Sequence, residues 1–310
     1  MRYRTLGPTG LRVSELAMGA MRLPSDDPAE CRAIFDAYAE AGGNFVDTAD
    51  RYGTEPVVKD LLAADREHFV VGTKFTLARH DTDLNAAGSH RKNLVTALDD
   101  SLARLGTDYV DIYWVHARDL FTPVEETMRA LDDQVRAGKV LYVAVSDWPA
   151  WEVARANAIA ELRGWTPFAA LQVEYSLLQR TVERELVPMA LSTGLAIAAW
   201  SPLAGGRLAR PGDGPVLEAV GAVADRHGAT RSQVALAWLR SREGVIPLLG
   251  ARTHAQMVDA LGVLDVDLSA EDLGVLDDVS RVELGFPHDF VGSDQVRDVI
   301  HGPGHRLIDR

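Results

Sequence analysis

The sequence predicts a (β/α)8 TIM barrel, read as one domain over residues 1–310, with an N-terminal β-hairpin and a C-terminal tail at the barrel mouth. Two observations carry that expectation. Eight short apolar runs rich in β-branched residues alternate with amphipathic stretches along the chain, with no linker or low-complexity tract between them. The 310 residues suit one large α/β barrel better than a smaller doubly wound domain. A doubly wound sheet would also announce itself by G-x-G-x-x-G after its first strand. Here the first run ends in Met18-Gly19-Ala20-Met21, and that fingerprint occurs nowhere.

The elements follow in order. Residues 3–6 and 11–13, separated by GPTG, read as a hairpin placed to plug the bottom of the barrel. Barrel strands are expected at 16–20, 44–48, 69–75, 110–116, 140–146, 169–174, 195–200 and 245–250. Between them lie helices. Thr122-Pro123-Val124-Glu125 reads as a capping box, followed by Val124, Met128, Leu131 and Val135 on one face and a stop at Gly138. Leu94, Val95, Leu98, Leu102 and Leu105 make a second stripe closed by Gly106. Thr230-Arg231-Ser232-Gln233 opens another capped helix, expected to run to Gly244. Further helices are predicted at 28–41, 55–63, 151–163, 182–190, 216–227, 255–261 and 270–279.

Charge and cysteine content exclude several classes. Asp and Glu outnumber Lys and Arg by 45 to 32, a net charge of −13, which argues against nucleic acid or an anionic membrane as partner. The single cysteine, Cys31, sits in a helical stripe as a small buried hydrophobe, allows no intrachain disulfide, and fits a cytoplasmic protein. No signal-peptide h-region and no run long enough to span a membrane is visible. His301 and His305 have helical spacing but no third ligand nearby, so no metal site is expected.

In a barrel, chemistry gathers where the strands end at their C-terminal side. There the sequence delivers Asp47, Lys74 and His116 from three successive strands, with Tyr52 five residues past the aspartate. A phenol titrates near 10. A close ammonium pulls that value down, a carboxylate balances the ammonium, and an imidazole can orient a carbonyl. Together these make a general acid for carbonyl reduction, or a base for the reverse reaction. Other residues at the rim read more plainly. Asp50 and Arg51 look like a surface turn. Tyr113 and Trp114 alternate, so one must face the helices. Trp148, Phe75 and Met21 are candidates to line a pocket, and Trp151 reads as helix packing.

These segments, taken together, resemble the aldo-keto reductase family, and its broad bacterial branch in particular. The matching stretches are GNFVDTADRYG, VGTKF, DYVDIYWVH, Ala144-Val145-Ser146-Asp147, Leu171-Gln172-Val173-Glu174-Tyr175, Trp200-Ser201-Pro202-Leu203 and Ile246-Pro247-Leu248-Leu249-Gly250-Ala251-Arg252. Each alone is weak. In this order, each at a different strand end and together spanning the chain, they are specific.

The resemblance implies a catalytic tetrad of Asp47, Tyr52, Lys74 and His116. Tyr52 is then the proton donor, Lys74 lowers its pKa, Asp47 pairs with Lys74, and His116 orients the carbonyl. It also implies a nicotinamide cofactor, NADP(H) ahead of NAD(H), bound without a Rossmann domain. Ser146, Asp147 and Gln172 would hold the carboxamide and Trp200 would stack on the ring. Ser201, Pro202, Leu203, Gly205, Gly206 and Arg207 would clasp the pyrophosphate. Gly250 and Arg252 would grip a 2′-phosphate, with Gln256 and Asp259 close by. Gly19, Ala20 and Met21 join the same set. The chain departs from the family at Asp147, where Asn is usual, and at Gln256 and Ala260, where Arg and Asn are common.

The implied function is reduction of an aldehyde or ketone. The alternatives are an NAD(P)+-linked dehydrogenase of a sugar or other alcohol on the same residues, and a cofactor-binding regulatory subunit. Specificity is expected from residues 117–121, Trp148 and the tail after Val282, which is drawn either as a lid or as a loose segment.

Overall fold

The computed structural model describes residues 1–302, with Gly304 and Leu307; His305 lies outside the described residues. Strands β1 (Tyr3–Thr5) and β2 (Arg12–Ser14) form the antiparallel hairpin. The next eight are β3 (Ala17–Gly19), β4 (Phe45–Asp47), β5 (Val70–Phe75), β6 (Val110–Val115), β7 (Val140–Ser146), β8 (Phe168–Glu174), β9 (Ala196–Trp200) and β10 (Val245–Leu249). They pair in chain order as a closed parallel barrel, with Leu248 of β10 opposite Ala17 of β3.

The helices that cover it are α1 (Pro28–Glu40), α2 (Glu55–Leu62), α3 (Arg91–Leu105), α4 (Val124–Arg136), α5 (Ala150–Arg163) and α6 (Leu186–Thr193). Then come α7 (Pro215–His227) and α8 (Arg231–Arg240), both between β9 and β10, followed by α9 (His254–Leu261) and α10 (Ala270–Ser280). Two short helices, α11 (His288–Gly292) and α12 (Asp294–His301), occupy the tail.

Strand residues alternate between two cores. The outward set packs against the helices: Tyr113 donates to the Leu94 carbonyl of α3 at 3.0 Å and stacks on Phe75. Phase fixes the rest, because side chains on a strand alternate faces. Trp114 therefore points inward, into a cluster with Phe45, Ile112, Ala144, Ala170 and Ala198. Phe75 faces the helices and does not line the mouth.

The hairpin closes the bottom as the sequence predicted. Leu6 and Val13 are buried in the inner cluster, and Arg4 donates to the Val245 carbonyl at 2.9 Å. Asn44 and Tyr38 fasten it. The Ser14 amide donates to Asn44 Oδ1 at 2.7 Å, and Ser14 Oγ lies 2.9 Å from the Tyr38 hydroxyl.

Two capping expectations part ways. Thr230 and Gln233 form the reciprocal box at α8. Thr122 does not form one at α4: its hydroxyl donates to Asp119 Oδ2 at 2.5 Å, and Pro123 takes the cap position. A nearer carboxylate has outcompeted the backbone. Helix α8 ends at Arg240 rather than at Gly244. Trp151, expected to pack, is 57% exposed, with the Arg118 guanidinium 5.4 Å from its ring centre. No helix among the described residues is long and apolar enough to cross a membrane.

Gly7 shows how tightly the plug seats. Its φ is +55°, and an added Cβ would lie 2.1 Å from the Ala169 carbonyl at the start of β8. Gly7→Ala must move backbone on both sides. The expected outcome is a loss of about 2–4 kcal/mol of stability in denaturant unfolding, with a lowered melting temperature.

Candidate active site

The closed barrel carries Asp47, at the end of β4, and Lys74, near the end of β5, into one buried contact. The register pairs Asp47 with Gly72, two residues before Lys74 and on the same face. The Lys74 ammonium is fully buried; it donates to Asp47 Oδ2, and at 2.8 Å to the Thr48 carbonyl. Gln172 of β8 donates from Nε2 to the other Asp47 oxygen at 3.2 Å. Burial pushes the Asp47 carboxyl up and the Lys74 ammonium down, while their mutual attraction works against both. Gly72 makes the room: a Cβ there would lie 2.7 Å from Trp114 Nε1 and 3.5 Å from Asp47 Oδ1.

Above this pair sits Tyr52. Its hydroxyl lies 3.3 Å from His116 Nε2, and Lys74 Nζ lies 5.3 Å from its ring centre. The ammonium is thus placed against the ring face rather than in a hydrogen bond to the phenol oxygen. Burial, then the carboxylates of Asp47, Asp147 and Asp50, push the phenol well above its usual range. That reverses the sequence expectation, in which the ammonium dominates. His116 is driven the other way, down to about 3, first by burial and then by Lys74, so its imidazole is neutral at physiological pH. Its Nδ1 is buried without a hydrogen-bond partner.

Asp50 and Arg51 form the expected turn, with Arg51 exposed, but the Asp50 carboxylate is turned inward. Both carboxylate oxygens are buried without a partner, and burial, then the charge of Glu55, raises the group to about 7.

On the β7–β9 side the remaining candidates gather. Ser146 Oγ is buried and without a partner at the end of β7. Asp147 follows at φ +53°, a left-handed conformation that Asn and Asp enter more readily than other side chains. Aspartate suits that backbone conformation. Its carboxylate accepts from Trp200 Nε1 at 3.1 Å, and burial raises its pKa against that donor. Trp148 is buried and lines a cavity of about 350 Å3 with Asp147, Glu174, Val182, Leu186 and Trp200. That cavity adjoins Trp200; neither Tyr52 nor His116 lines it.

The loop after β9 is wound by its own bonds. The Ala204 amide donates to the Ser201 carbonyl at 2.8 Å, and the Gly205 amide to Ser201 Oγ at 3.2 Å. Ser201, Ala204, Gly205 and Gly206 all have positive φ. Pro202 is buried, while Leu203 and Gly206 are half-exposed and Arg207 is exposed.

After β10, Gly250, Arg252 and Gln256 are exposed together, and the Arg252 amide donates to Gln256 Oε1 at 2.9 Å. Asp259 is turned away: its carbonyl and its carboxylate both accept from Gln233 of α8. Gly19 ends β3 with an added Cβ no nearer than 3.6 Å to Leu249; Ala20 is buried among the outer core and Met21 is 50% exposed.

The loop after β8 is pinned to the tail: Arg184 donates to the Glu283 carbonyl at 2.8 Å, and His288 pairs with Glu185 at 2.8 Å.

This geometry coincides with a family match. Residues 15–281 match the aldo/keto reductase family over nearly the whole barrel. The chain belongs to the aldo-keto reductase family. It is an oxidoreductase enzyme of the class that reduces carbonyls or oxidises alcohols on small molecules. Among its relatives are fungal proteins. Norsolorinic acid reductase stcV of Emericella nidulans is 36% identical over 93% of this chain and 84% of its own. Aldo-keto reductase ausK of Aspergillus calidoustus is 35% identical over 94% and 85%. The aryl-alcohol dehydrogenase [NADP(+)] of Phanerodontia chrysosporium is 32% identical over 98% and 92%.

The buried pair gives a stability test. Lys74→Met leaves Asp47 uncompensated in the barrel, and unfolding should show a loss of about 3–5 kcal/mol. The double variant Lys74→Met/Asp47→Leu should recover part of that loss.

Proposed function

We propose that this aldo-keto reductase is an NADP(H)-dependent reductase of aldehydes or ketones, with Tyr52 as proton donor. The observation that carries the reading is the contact of the Tyr52 hydroxyl with a neutral His116, above the Asp47–Lys74 pair. The relatives named for norsolorinic acid reduction and aryl-alcohol oxidation direct the reading to aromatic carbonyl compounds first.

Cofactor fit is supported by unspent groups. Gln172 has committed its amide nitrogen to Asp47, which leaves its carbonyl for a carboxamide, and Ser146 lies buried beside Asp147 at the same strand end. Asp147 holds the Trp200 indole at the strand end, so the ring is positioned before anything binds. The Ser201–Arg207 loop and Gly250 to Arg252 would hold the phosphates, with Arg252 matching a 2′-phosphate. A nicotinamide held there would supply the hydride.

The chain's own residues do the rest. The carbonyl oxygen sits between Tyr52 Oη and His116 Nε2, and a neutral imidazole can donate one hydrogen bond to it. As the carbonyl carbon gains a hydride, its oxygen becomes alkoxide-like and takes the Tyr52 proton. A phenol raised by burial is still more acidic than the alcohol that the alkoxide becomes. The raised value therefore costs little in reduction, and it keeps the acid protonated beforehand. In oxidation the same phenol must first be deprotonated, so the environment favours reduction at neutral pH. Solvent returns the proton.

Three measurements test this. Tyr52→Phe should lower kcat by about 10²–10⁴ while leaving cofactor affinity nearly unchanged. The pH profile should differ by direction: reduction holds its rate through neutral pH, because the phenol stays protonated below its raised pKa. Oxidation climbs about tenfold per pH unit as phenolate forms. His116, already neutral, should add no step between pH 5 and 8. Arg252→Ala should weaken NADPH about ten- to a hundredfold and NADH far less. Near-wild-type turnover of Tyr52→Phe would remove the tyrosine role.

A further inference from the structure

The segment read above as gripping the 2′-phosphate is already occupied by the chain itself. The Arg252 amide donates to Gln256 Oε1 at 2.9 Å, and the Gln256 amide to Thr253 Oγ1 at 3.2 Å. The His254 amide, the first of α9, donates to Glu30 Oε1 at 2.6 Å. Glu30 belongs to the first turn of α1, 224 residues away in sequence. The last and first helices of the barrel run side by side, and their N-terminal ends meet at the mouth. Arg22 closes the same corner: its Cγ lies 3.8 Å from where a Gly250 Cβ would be.

Two opposed sets of charge thus share one place. Arg22 and Arg252 are exposed guanidinium groups. On the α1 side of the same corner are Glu30, seated on the His254 amide two residues past Arg252, and Asp27, which caps α1 through the Glu30 amide at 3.0 Å. A carboxylate seated on this amide acts differently on the two nicotinamide dinucleotides. It repels a 2′-phosphate dianion brought up to Arg252. It can accept a hydrogen bond from a free ribose 2′-hydroxyl, the interaction by which acidic residues select NAD.

We propose, resting on the cofactor reading above, that Glu30 is a cofactor-selectivity residue. Its carboxylate holds the position beside Arg252 and α9, and it offsets the pull of Arg252 on the 2′-phosphate. The preference for NADPH over NADH is then a difference between two opposing residues, and the enzyme takes both cofactors. Binding of NADPH displaces the Glu30 carboxylate from the His254 amide; binding of NADH leaves it seated.

The test separates charge from mere attachment of α1 to α9. Glu30→Gln keeps an acceptor for the His254 amide and removes the charge; Glu30→Ala removes both. Binding of NADPH and of NADH to each purified variant is measured by nicotinamide fluorescence and calorimetry, without substrate. Glu30→Gln should raise the NADPH-to-NADH affinity ratio about tenfold, with an unchanged melting temperature. Its effect should shrink as salt is raised. Glu30→Ala should move the ratio the same way and lower the melting temperature as well. If Glu30→Gln binds both cofactors at the wild-type ratio, Glu30 is only a tie between helices and the proposal falls. If the wild-type chain binds neither dinucleotide, the cofactor reading falls and this proposal falls with it.

Discussion

The Asp47–Lys74 pair is the contact on which the rest of the mouth depends. A fully buried ammonium is tolerated only when it is paired and its remaining protons are satisfied. Here one proton goes to Asp47 and another to the Thr48 carbonyl, so the loop after β4 must leave the barrel in one direction. That loop carries Asp50 and Tyr52. Its path is fixed again where the Asp50 amide donates to the Lys74 carbonyl at 3.1 Å. The lysine thus holds the loop from two sides, by side chain and by backbone, and the phenol is positioned as a consequence. Substituting Gly72 would deny Trp114 its space and press on Asp47, so the absence of one side chain on β5 belongs to the same arrangement.

Closure of the barrel makes this possible. Asp47, Lys74, His116 and Gln172 come from four parts of the chain spread over 125 residues, and the Gln172–Asp47 bond crosses the barrel mouth. An open sheet of the same strands would leave β8 remote from β4. The small inward residues on β7, β8 and β9, Ala144, Ala170 and Ala198 among them, leave room for the large rings of Phe45 and Trp114. Burial at the mouth dehydrates the phenol and the imidazole.

How far the sequence could be read follows from which forces act locally. The strands were legible because a barrel strand is buried on both faces and appears as an unbroken apolar run, as in Val110–Val115. Their ends could be placed because Asp47, Lys74 and His116 interrupt such runs with polar side chains. The Thr122 box failed because Asp119, three residues earlier, offered its hydroxyl a charged acceptor that the capping pattern ignores. Helices α11 and α12 escaped notice because they are short, five and eight residues, and their apolar side chains Phe290, Val291, Val299 and Ile300 stay exposed instead of facing the core. Asp50 and Glu30 were illegible for a deeper reason. Asp50 owes its character to burial, and Glu30 to the His254 amide of α9, 224 residues on, and no local pattern encodes either.

The electrostatics of the mouth then point one way. Burial, with the carboxylates at 47, 147 and 50, raises the pKa of the phenol proposed above as the proton donor. For a base this would be a poor environment. For an acid facing a nascent alkoxide it is harmless, because the alkoxide is more basic still than the phenolate left behind. The neighbouring imidazole is kept neutral by the same burial and by the same lysine. It therefore cannot compete as a proton source, and it remains available as a neutral hydrogen-bond donor. On the mechanism proposed above, burial thus divides the labour between two side chains 3.3 Å apart, one to deliver the proton and the other to aim the oxygen that receives it.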